Sequence, residues 1–477
     1  MMDRFWVRDA KGGAALQAPV PLLLFGSGTE AIAKPEAARP RLLFKAGERP
    51  YSSSAKTALN NLVCVALLSV WVFAGCGAAS DGRTEIVFWA MGAEGEHVAT
   101  LMPAFERRHP HVRVRVQMIP WNAAHEKLLT AYAGNSLPDM AQIGNTWIPE
   151  FHVVNALEDL SPYVSRSTTI TDSSYFRGIW DTNVIDSALW GVPWYVDTRV
   201  LFYRSDLLAR VGYQKPPQSW EEWFDVCDAL VKNRVSEYGV FFPTNNEWAP
   251  PVLMGVQLGS PLLRDNATRG AFSGKDFRDA LHAFHRFFKN GWAPVKTTQI
   301  VNIYQGMAEN VFAMHITGPW NIGAFKRRMP PALQHAWMTA PLPGPHGGIG
   351  ASLAGGSSLA IFRHSSKKED VWKVIEYLSE PDVQIEFYRL TGDLPARTEA
   401  WRDPALDGNV YARAFFQQLQ HVVAMPKTPE WEQIAQKVRE YVELVTMDRL
   451  TVEEATALLD RDVDVMLEKR RWMVTKK

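Results

Sequence analysis

Ten residues in or beside predicted loops carry groups that could bind a ligand. They include aromatic rings, carboxylates, an amide, a guanidinium and two glycines. The ten residues are Glu94, Trp121, Asn145, Trp147, Asp197, Trp248, Trp320, Gly355, Gly356 and Arg397. Indole faces can stack on the C–H faces of a ring, and carboxylates and amides pair with hydroxyl groups. Glycine lets backbone N–H groups approach a ligand closely. This combination suits a neutral, polyhydroxylated ring ligand.

Several of these residues also have a plainer interpretation. Glu94 follows a strand and could be an exposed turn acid. Asn145 and Trp147, in Gly-Asn-Thr-Trp, could form a turn and pack in the core. Trp121 follows Pro120 and is ambiguous between core and cleft.

Three further candidates lie near predicted strand ends or connections. Asp197 could contact a ligand or could only form an ion pair with Arg199. Trp320 follows Gly318 and Pro319, which should turn the chain and point the indole into the cleft. Arg397 could close over the ligand or could only bridge two lobes.

The elements that position these residues read as alternating strands and helices. Residues 85–90 and 112–116 have the composition or the period-two alternation of strands, and residues 140–143 form a short buried strand. Helices are predicted at 96–108 and 123–133, with residues 92–95 as a turn. This βαβαβ order predicts a parallel sheet whose functional loops begin at Met91, Ile119 and Gly144.

The remainder continues this pattern. Strands are predicted at 201–203 and 311–316. Helices are predicted at 220–232, at 368–379, in a second segment that ends at Gly392, and at 451–469. Thr451 followed three residues later by Glu454 is typical of a capping box at a helix start. Trp89, Trp190 and Trp372 fit core positions.

Charge and composition exclude some classes of partner. Lys plus Arg and Asp plus Glu both number 51, so the formal net charge is zero. No basic surface for nucleic acid or an anionic bilayer is indicated. The chain contains 18 Trp, and aromatic platforms suit the apolar faces of sugar rings.

Cysteine and histidine spacing indicates neither a metal site nor a cofactor. Cys64, Cys76 and Cys227 match no metal or redox motif, and Cys227 fits a small core residue. The histidines show no ligand spacing, and His-Glu-x-x-His is absent from the sequence. We therefore expect no cofactor.

The front of the chain has the pattern of an export signal. Residues 62–75 form an apolar run of 14, which is too short for a bilayer that needs about 20 residues. Residues 56–75 are interpreted as a lipoprotein signal peptide, because Phe-Ala-Gly-Cys76 resembles a bacterial lipobox. Cys76 would then carry the lipid and residues 76–83 would be a linker. Residues 1–55 are expected to be disordered or to lie upstream of the true start.

Six strings, in order, carry a resemblance to a known family: TEIVFWAMGAEGE, AGNSLPDMAQIGNTWIPEF, WGVPWYVDTRVLFYRSDLL, FAMHITGPWNIGAF, SLAGGSSLAIF and LTGDLPAR. They resemble the extracellular solute-binding proteins of family 1, the maltose-binding-like receptors of carbohydrate ABC importers. The resemblance implies a two-lobed, periplasmic-binding-protein-like α/β fold, with mostly parallel sheets flanked by helices. It also implies three crossings between lobes, near 197–200, 353–357 and 394–397.

The lobes are then expected at 84–196 with 358–393, and at 199–352 with 396–477. The resemblance implies a lipid-anchored monomer outside the cytoplasm that captures a sugar, oligosaccharide or polyol and delivers it to ABC permease subunits. It also implies stacking on Trp320.

Three other classes of protein have different requirements. A glycoside hydrolase needs two carboxylates about 5 to 9.5 Å apart, which a sequence does not measure, and no carboxylate pair stands in a recognisable catalytic context. A nucleotide enzyme is disfavoured because Gly-x-x-x-x-Gly-Lys-Ser/Thr is absent. A sugar-sensing receptor for signalling would use the same two-lobed fold. The favoured hypothesis is a binding protein without catalysis.

Overall fold

The computed structural model describes residues 82–244, 247–296 and 302–474. The predicted extension, signal peptide and lipidated Cys76 lie outside these residues. Within the described ranges, no helix is both long enough and apolar enough to span a membrane.

The strands are short and are distributed along the whole described chain. They are β1 (Thr84–Met91), β2 (Val112–Ile119), β3 (Met140–Gly144), β4 (Val184–Ile185), β5 (Ala188–Leu189), β6 (Val192–Asp197), β7 (Val200–Arg204), β8 (Tyr238–Phe241), β9 (Leu263–Arg264), β10 (Arg269–Gly270), β11 (Phe312–Thr317), β12 (Trp337–Ala340), β13 (Ser352–Leu353), β14 (Gly355–Ile361), β15 (Leu394–Pro395) and β16 (Val422–Val423).

The α-helices alternate with these strands and dominate the C-terminal part. They are α1 (Gly92–Arg108), α2 (Trp121–Ala133), α3 (Ile148–Val153), α4 (Ser161–Val164), α5 (Arg177–Asp181), α6 (Ser205–Arg210), α7 (Trp220–Lys232), α8 (Ala249–Gln257), α9 (Lys275–Lys289), α10 (Ile303–Ala308), α11 (Trp320–Arg328), α12 (Lys368–Leu378), α13 (Pro381–Thr391), α14 (Pro404–Asp407), α15 (Ala412–Gln418), α16 (Trp431–Thr446), α17 (Val452–Met466) and α18 (Glu468–Val474). Short 3-10 turns occur at Asn145–Trp147, Asp172–Ser174, Pro331–Leu333, Thr398–Arg402 and Leu419–His421.

A six-stranded sheet has the order β15-β6-β14-β3-β1-β2. β1 pairs in parallel with both β2 and β3, as the βαβαβ pattern predicts. β14 joins β3 and β6 antiparallel, and β15 joins β6 antiparallel. The parallel part therefore comes from the first strands of the chain, and the antiparallel part from strands that return later.

A four-stranded sheet has the order β12-β7-β11-β8. Only β8 and β11 pair in parallel among these strands, and β7 lies antiparallel to β11 and β12. The chain passes from the first sheet to the second between β6 and β7, returns between β12 and β14, and leaves the first sheet again after β15. Two connections thus join the two sheets, and the third runs from the first sheet to the C-terminal helices, of which α16 and α17 pack in the cluster of Leu201.

The buried faces of the strands follow period-two alternation. In β1, Phe88 belongs to a different core cluster from Trp89. In β7, Phe202 packs in the cluster that holds Phe88, whereas Leu201 packs in a third cluster with the helices α7, α9 and α16. Helices therefore cover both faces of each sheet, and the ends of the strands remain available for binding.

Several predicted elements are confirmed with small shifts of their ends. α7 covers the predicted residues, and Thr451 and Glu454 form the reciprocal hydrogen bonds of a capping box at the start of α17. Gly392 ends α13 in the left-handed conformation, with φ +84°. Trp190, Trp372 and Cys227 are buried, as predicted.

The predicted turn at 92–95 is wrong, because α1 begins at Gly92 directly after β1. Glu94 consequently lies in the first helical turn, where the positive end of the helix dipole favours a carboxylate.

Candidate functional site

A cavity of about 410 Å³ opens between the ends of the two sheets. Its lining comprises Glu94, Trp121, Gly144, Asn145, Thr146, Trp147, Tyr195, Val196, Asp197, Trp248, Pro319, Trp320, Leu353, Gly355, Gly356 and Asp393. The structure brings nine of the ten sequence-predicted residues to this one cavity, and Arg397 is the exception.

Helix starts gather at the cavity. Glu94 lies in the first turn of α1, Trp121 is the first residue of α2, and Trp320 is the first residue of α11. Trp248 occupies the N-cap position of α8. Because helices that follow parallel strands begin at the carboxyl ends of those strands, residues far apart in sequence meet at one edge.

We call the side reached from the six-stranded sheet the first wall. It consists of Glu94, Trp121, Asn145, Trp147, Tyr195 and Asp393. The second wall, reached from the four-stranded sheet, consists of Trp248, Pro319 and Trp320. Asp197 ends β6, at the junction of the two walls.

Glu94 is held in place from two sides. The Tyr195 hydroxyl donates to Glu94 Oε1 at 2.9 Å, and Trp121 Nε1 lies 3.3 Å from each carboxylate oxygen. The same Tyr195 hydroxyl accepts from Gln142 Nε2 and from Ser357 Oγ, both at 3.0 Å. Burial raises the pKa of Tyr195 well above its ordinary value, so this hydroxyl stays a donor to Glu94.

Asp393 is a second acid on the first wall that the sequence analysis missed. Burial, with the negative charge of Glu94 adding to it, raises the pKa of Asp393 to about 7. The Thr391 hydroxyl accepts from the Asp393 backbone N–H at 3.0 Å and holds this short turn before β15. Asp393 stands in the string LTGDLPAR, beside the left-handed Gly392, and a polar residue next to a helix-ending glycine was the available sign.

Asn145 presents an unused donor. Its Oδ1 accepts from Ser358 Oγ at 3.2 Å, while its Nδ2 is buried without a hydrogen-bond partner in the described part of the chain. The side chain is 5% exposed. A buried amide donor that lacks a partner is costly, so a ligand oxygen in the cavity would remove this cost.

Three of the cavity indoles lie against glycines. A Cβ on Gly92 would come within 2.7 Å of Trp121 Cδ1, and one on Gly144 would come within 3.3 Å of the Trp147 ring. A Cβ on Gly318 would collide with the Trp320 ring. Because glycine has no Cβ, each of these indoles can lie directly against the backbone. Trp121 and Trp147 also contact each other at 6.0 Å between ring centroids, edge to face.

The second wall is aromatic and carries no acid among the residues described. Trp320 is 48% exposed, so its ring is accessible from solvent. Trp248 packs edge to face on the buried Trp431 at 5.6 Å between centroids. These two indoles supply apolar area on the side opposite Glu94 and Asp393.

Asp197 combines the two roles that its place in the sequence allows. It lines the cavity, and its Oδ1 also accepts from Arg199 Nη1 at 2.7 Å. Burial raises the pKa of Asp197 from its ordinary value, and the Arg199 charge acts in the opposite direction. No Lys or Arg is found among the described residues that line the cavity, so its side chains present acids and indoles.

Gly355 and Gly356 line the cavity, and the packing of β14 against β6 also requires glycine at both positions. A Cβ on Gly355 would come within 2.8 Å of the Asp197 backbone oxygen, and one on Gly356 would collide with the Tyr195 backbone oxygen. Gly356 also has φ +125°, which favours glycine. The close pairing of β14 with β6 thus requires these glycines, whatever the ligand.

Arg397 is corrected by the structure, which places it away from the cavity. Its Nη1 donates to the backbone oxygens of Thr169 at 2.7 Å and Ser379 at 2.9 Å, and its Nη2 donates to Glu399 at 2.8 Å. The guanidinium also lies 5.5 Å from the Tyr175 ring centroid. These partners hold the Arg397 side chain within the protein instead of towards the ligand cavity.

The described residues contain no group of His, Cys, Asp and Glu side chains that could hold a metal ion. The chemical groups that line the cavity include acids, an amide and indoles. Together they offer hydrogen-bond acceptors on one wall and stacking surfaces on both.

Comparisons with known proteins agree with this geometry. The family model described as bacterial extracellular solute-binding protein matches residues 91–385. The sugar-binding protein MalE from Xanthomonas citri is similar in structure with a TM-score of 0.80, at 46% identity, over 83% of this chain and 100% of that chain.

Two relatives are similar in sequence. The galactooligosaccharide-binding protein of Bacillus subtilis is 23% identical over 75% of this chain and 83% of its own length. The diacetylchitobiose-binding protein of Streptomyces coelicolor is 25% identical over 75% of this chain and 84% of its own. With the family model spanning more than half of its length, the chain belongs to the bacterial extracellular solute-binding proteins.

Proposed function

We propose that this protein is the substrate-binding component of an ABC importer that captures a neutral carbohydrate in the cavity between the two walls. The observation that carries the proposal is the meeting of Trp121, Trp147, Trp248 and Trp320 with the unpartnered Asn145 amide and the acids of the first wall. Indoles suit sugar ring faces, and the polar groups suit hydroxyls. The names of the similar sugar-binding proteins support the same class of ligand.

The charge of the cavity favours neutral over anionic ligands. Glu94, Asp197 and Asp393 line it, and Arg199, the cation paired with Asp197, is also engaged by Glu247. A phosphate or uronate would meet like charge in a poorly solvated space, which is unfavourable. The protein should therefore bind a neutral sugar and reject its phosphorylated form.

A thermal-shift screen tests this function directly. The panel pairs glucose with glucose 6-phosphate and includes maltose, maltotriose, tagatose, galactooligosaccharides and N,N′-diacetylchitobiose. A ligand that binds only the native state adds RT ln(1 + [L]/Kd) to stability, about 2.7 kcal/mol at 100 times Kd. A rise in Tm with at least one neutral sugar and none with glucose 6-phosphate supports the proposal. Binding of phosphorylated sugars alone would overturn it.

Binding without catalysis is part of this proposal. The similar proteins are named as binding proteins. Incubating the protein with the saccharide that binds, followed by chromatography of the products, should return the saccharide intact. A cleaved product would favour the glycoside-active alternative instead.

We place the two lobes at 84–196 with 358–393 and at 199–352 with 396–477, and expect them to close by a hinge motion. The two-residue link at 198–199 between β6 and β7 supports a hinge there. The segment from Ala396 to Leu419 packs in one core cluster with residues of both sheets, and its Tyr411 and Phe415 rings contact Trp337 and Phe202 of the four-stranded sheet, which supports its place in the second lobe. Small-angle scattering of the monomer should show a smaller radius of gyration with bound sugar, and an unchanged radius would indicate a rigid pocket.

Membership of an extracellular solute-binding family supports a location outside the cytoplasm. We propose in addition that Cys76 carries a lipid anchor. One similar protein, from Streptomyces antibioticus, is itself named a lipoprotein. Cys76→Ser should move the protein from the membrane to the soluble fraction without changing sugar affinity. Unchanged membrane fractionation would remove the anchor from this account.

A further inference from the structure

Arg199 lies where two of the connections between the sheets meet. It occupies the two-residue link between β6 and β7, and its side chain is 12% exposed. Its backbone N–H donates to Ser352 Oγ at 3.2 Å, and the same hydroxyl donates to the Arg199 backbone oxygen at 2.8 Å. Ser352 belongs to β13, on the return connection. The Arg199 backbone is thereby tied to both connections.

The Arg199 side chain reaches groups from both sides of the cavity. Nη1 donates to Asp197 at 2.7 Å, and the guanidinium lies 4.8 Å from the ring centroid of Trp320 on the second wall. Nη2 lies 3.2 Å from Glu247 Oε2, while Glu247 Oε1 accepts from the Ala249 backbone N–H at 3.0 Å. Trp248 stands between Glu247 and Ala249 in the sequence, at the N-cap position of α8.

Arg199 is not among the residues that line the cavity. Its guanidinium lies over the Trp320 ring, while 48% of Trp320 remains exposed. We propose that Arg199 is a positioning residue: it holds Asp197 and Trp320 in their binding arrangement from behind and so sets sugar affinity without touching the sugar. This inference rests on the proposed carbohydrate-binding function.

The chemistry requires arginine and not merely a positive charge. A guanidinium offers planar N–H donors in two directions and a flat face that stacks on an indole. Lysine would keep the charge beside Asp197 and Glu247 but would lose the planar fork and the stacked face. Arg199→Lys therefore separates positioning from simple charge balance.

The first test needs no ligand. The protein is labelled with 5-fluorotryptophan, and the Trp320 fluorine resonance is assigned by its loss in Trp320→Phe. Arg199→Lys should shift or broaden the Trp320 resonance and leave those of Trp89 and Trp372 unchanged. The matched control is Arg204→Met. Arg204 is also a buried arginine with a carboxylate partner, Asp206, but its hydrogen bonds go to Asp206 and the Met307 backbone oxygen, neither of which lines the cavity. An unchanged Trp320 resonance in Arg199→Lys would overturn the inference.

The second test measures affinity for maltose and N,N′-diacetylchitobiose by calorimetric titration. Arg199→Lys should weaken binding by about tenfold, and Arg204→Met by less than about twofold. In a Trp320→Leu background the Arg199→Lys factor should fall to about two- to threefold, because the two residues act together. If Arg199→Lys weakens binding by the same factor in the Trp320→Leu background as in the parental protein, the two residues act independently and the inference is contradicted.

A charge-balanced double variant serves as the control for misfolding. Arg199→Met combined with Glu247→Gln removes the cation together with one of its partners, which limits the cost of unpaired buried charge. A cooperative thermal transition with weakened binding supports the inference, whereas a folded variant with parental affinity contradicts it. If no neutral sugar of the thermal-shift panel binds the parental protein, the proposed function fails. The positioning role is then decided by the Trp320 fluorine resonance alone.

Discussion

The two walls of the cavity are built by different physical means. Polar groups of the first wall are held by hydrogen bonds within the protein, with Tyr195 joined to Glu94, Gln142 and Ser357. The rings of the second wall are held by packing and by a guanidinium, with Trp248 on Trp431 and Trp320 beside Arg199. Hydrogen bonds are directional, whereas burial of apolar area is not.

This difference predicts how a sugar would be recognised. The first wall should distinguish hydroxyl positions, because its acceptors point in set directions. The second wall should contribute affinity with little regard to which hydroxyl is axial or equatorial. Changes on the first wall should therefore alter discrimination between epimers, and changes on the second should weaken all bound sugars by similar factors.

The largest expected effect is that of Glu94→Ala. This change removes the acceptor of Tyr195 and Trp121 as well as an acceptor for the ligand. Hydrogen bonds to a charged group contribute about 1.5 to 3 kcal/mol each, so affinity should fall by about 100-fold or more. Calorimetric titration with two epimeric sugars should show unequal losses. The control is Glu96→Ala, which removes an exposed acid from the same helix. Equal losses for both epimers would contradict the directional role of this wall.

Trp320→Ala tests the second wall. Stacking on an indole removes apolar area at about 25 cal/mol per Å², so a contact on the order of 100 Å² contributes about 2.5 kcal/mol and affinity should fall roughly 10- to 100-fold. Because Trp320 is half-exposed, stability should change little. The buried Trp337 is the control, since truncating a core Trp costs about 3 to 5 kcal/mol.

Titration and a denaturant melt of both variants separate the outcomes. A folded Trp320→Ala protein with parental affinity for every sugar would remove the stacking role. A badly destabilised one would make Trp320 a core residue.

The contrast between walls also marks what a sequence can and cannot predict. Trp320 could be found because Gly318 and Pro319 indicate a turn after a strand. The βαβ order indicated which loops would meet, since the carboxyl ends of parallel strands share an edge. Tyr195 could not be chosen because in Trp-Tyr-Val-Asp neighbouring residues alternate between faces, and the register that aims the hydroxyl at Glu94 depends on β14 and β15.

The prediction for Arg397 was wrong for a similar reason. The sequence places it near a crossing, and the crossing is present, but side-chain direction is set by packing partners distant in sequence, including Thr169 and Tyr175. Asp393 and Arg199 are the converse case. The role of Asp393 arises from burial and from the like charge of Glu94, and that of Arg199 from its contact with the Trp320 ring, and both become visible only when residues distant in sequence are brought near.

A smaller and pH-dependent effect is expected for Asp393. In the folded protein the pKa of Asp393 rises from the usual 3.8 to about 7. Burial is the largest cause, and the negative charges of Glu94 and Asp197 add to it, whereas the hydrogen bond with Thr391 lowers the pKa. The folded state therefore holds this proton more tightly than the unfolded one. Its contribution to stability is complete below about pH 4 and is lost as the pH rises through about 7.

Asp393→Asn should remove this dependence. The Tm of the ligand-free protein should fall, relative to that of the variant, as the pH is raised from 4 to 8. Sugar affinity of the parental protein should increase across pH 7, because ionised Asp393 accepts hydroxyl hydrogens more strongly. The control is Asp382→Asn, which removes an exposed acid from α13. Parallel pH profiles for parent and Asp393→Asn would contradict this assignment.

The smallest expected effect on binding is that of Arg397→Met, which sharpens the comparison by leaving both walls intact. Arg397 and Arg199 are both buried arginines beside a ring and a carboxylate, yet only Arg199 is joined to cavity residues. Losing the bonds to Thr169, Ser379 and Glu399 should cost about 1 to 3 kcal/mol of unfolding free energy. Because Glu399 is half-exposed, no buried charge is stranded. Sugar affinity should stay within about twofold, a change under about 0.5 kcal/mol. A denaturant melt and a titration measure the two quantities. A large loss of affinity in a stably folded variant would mean that Arg397 reaches the ligand when the lobes close.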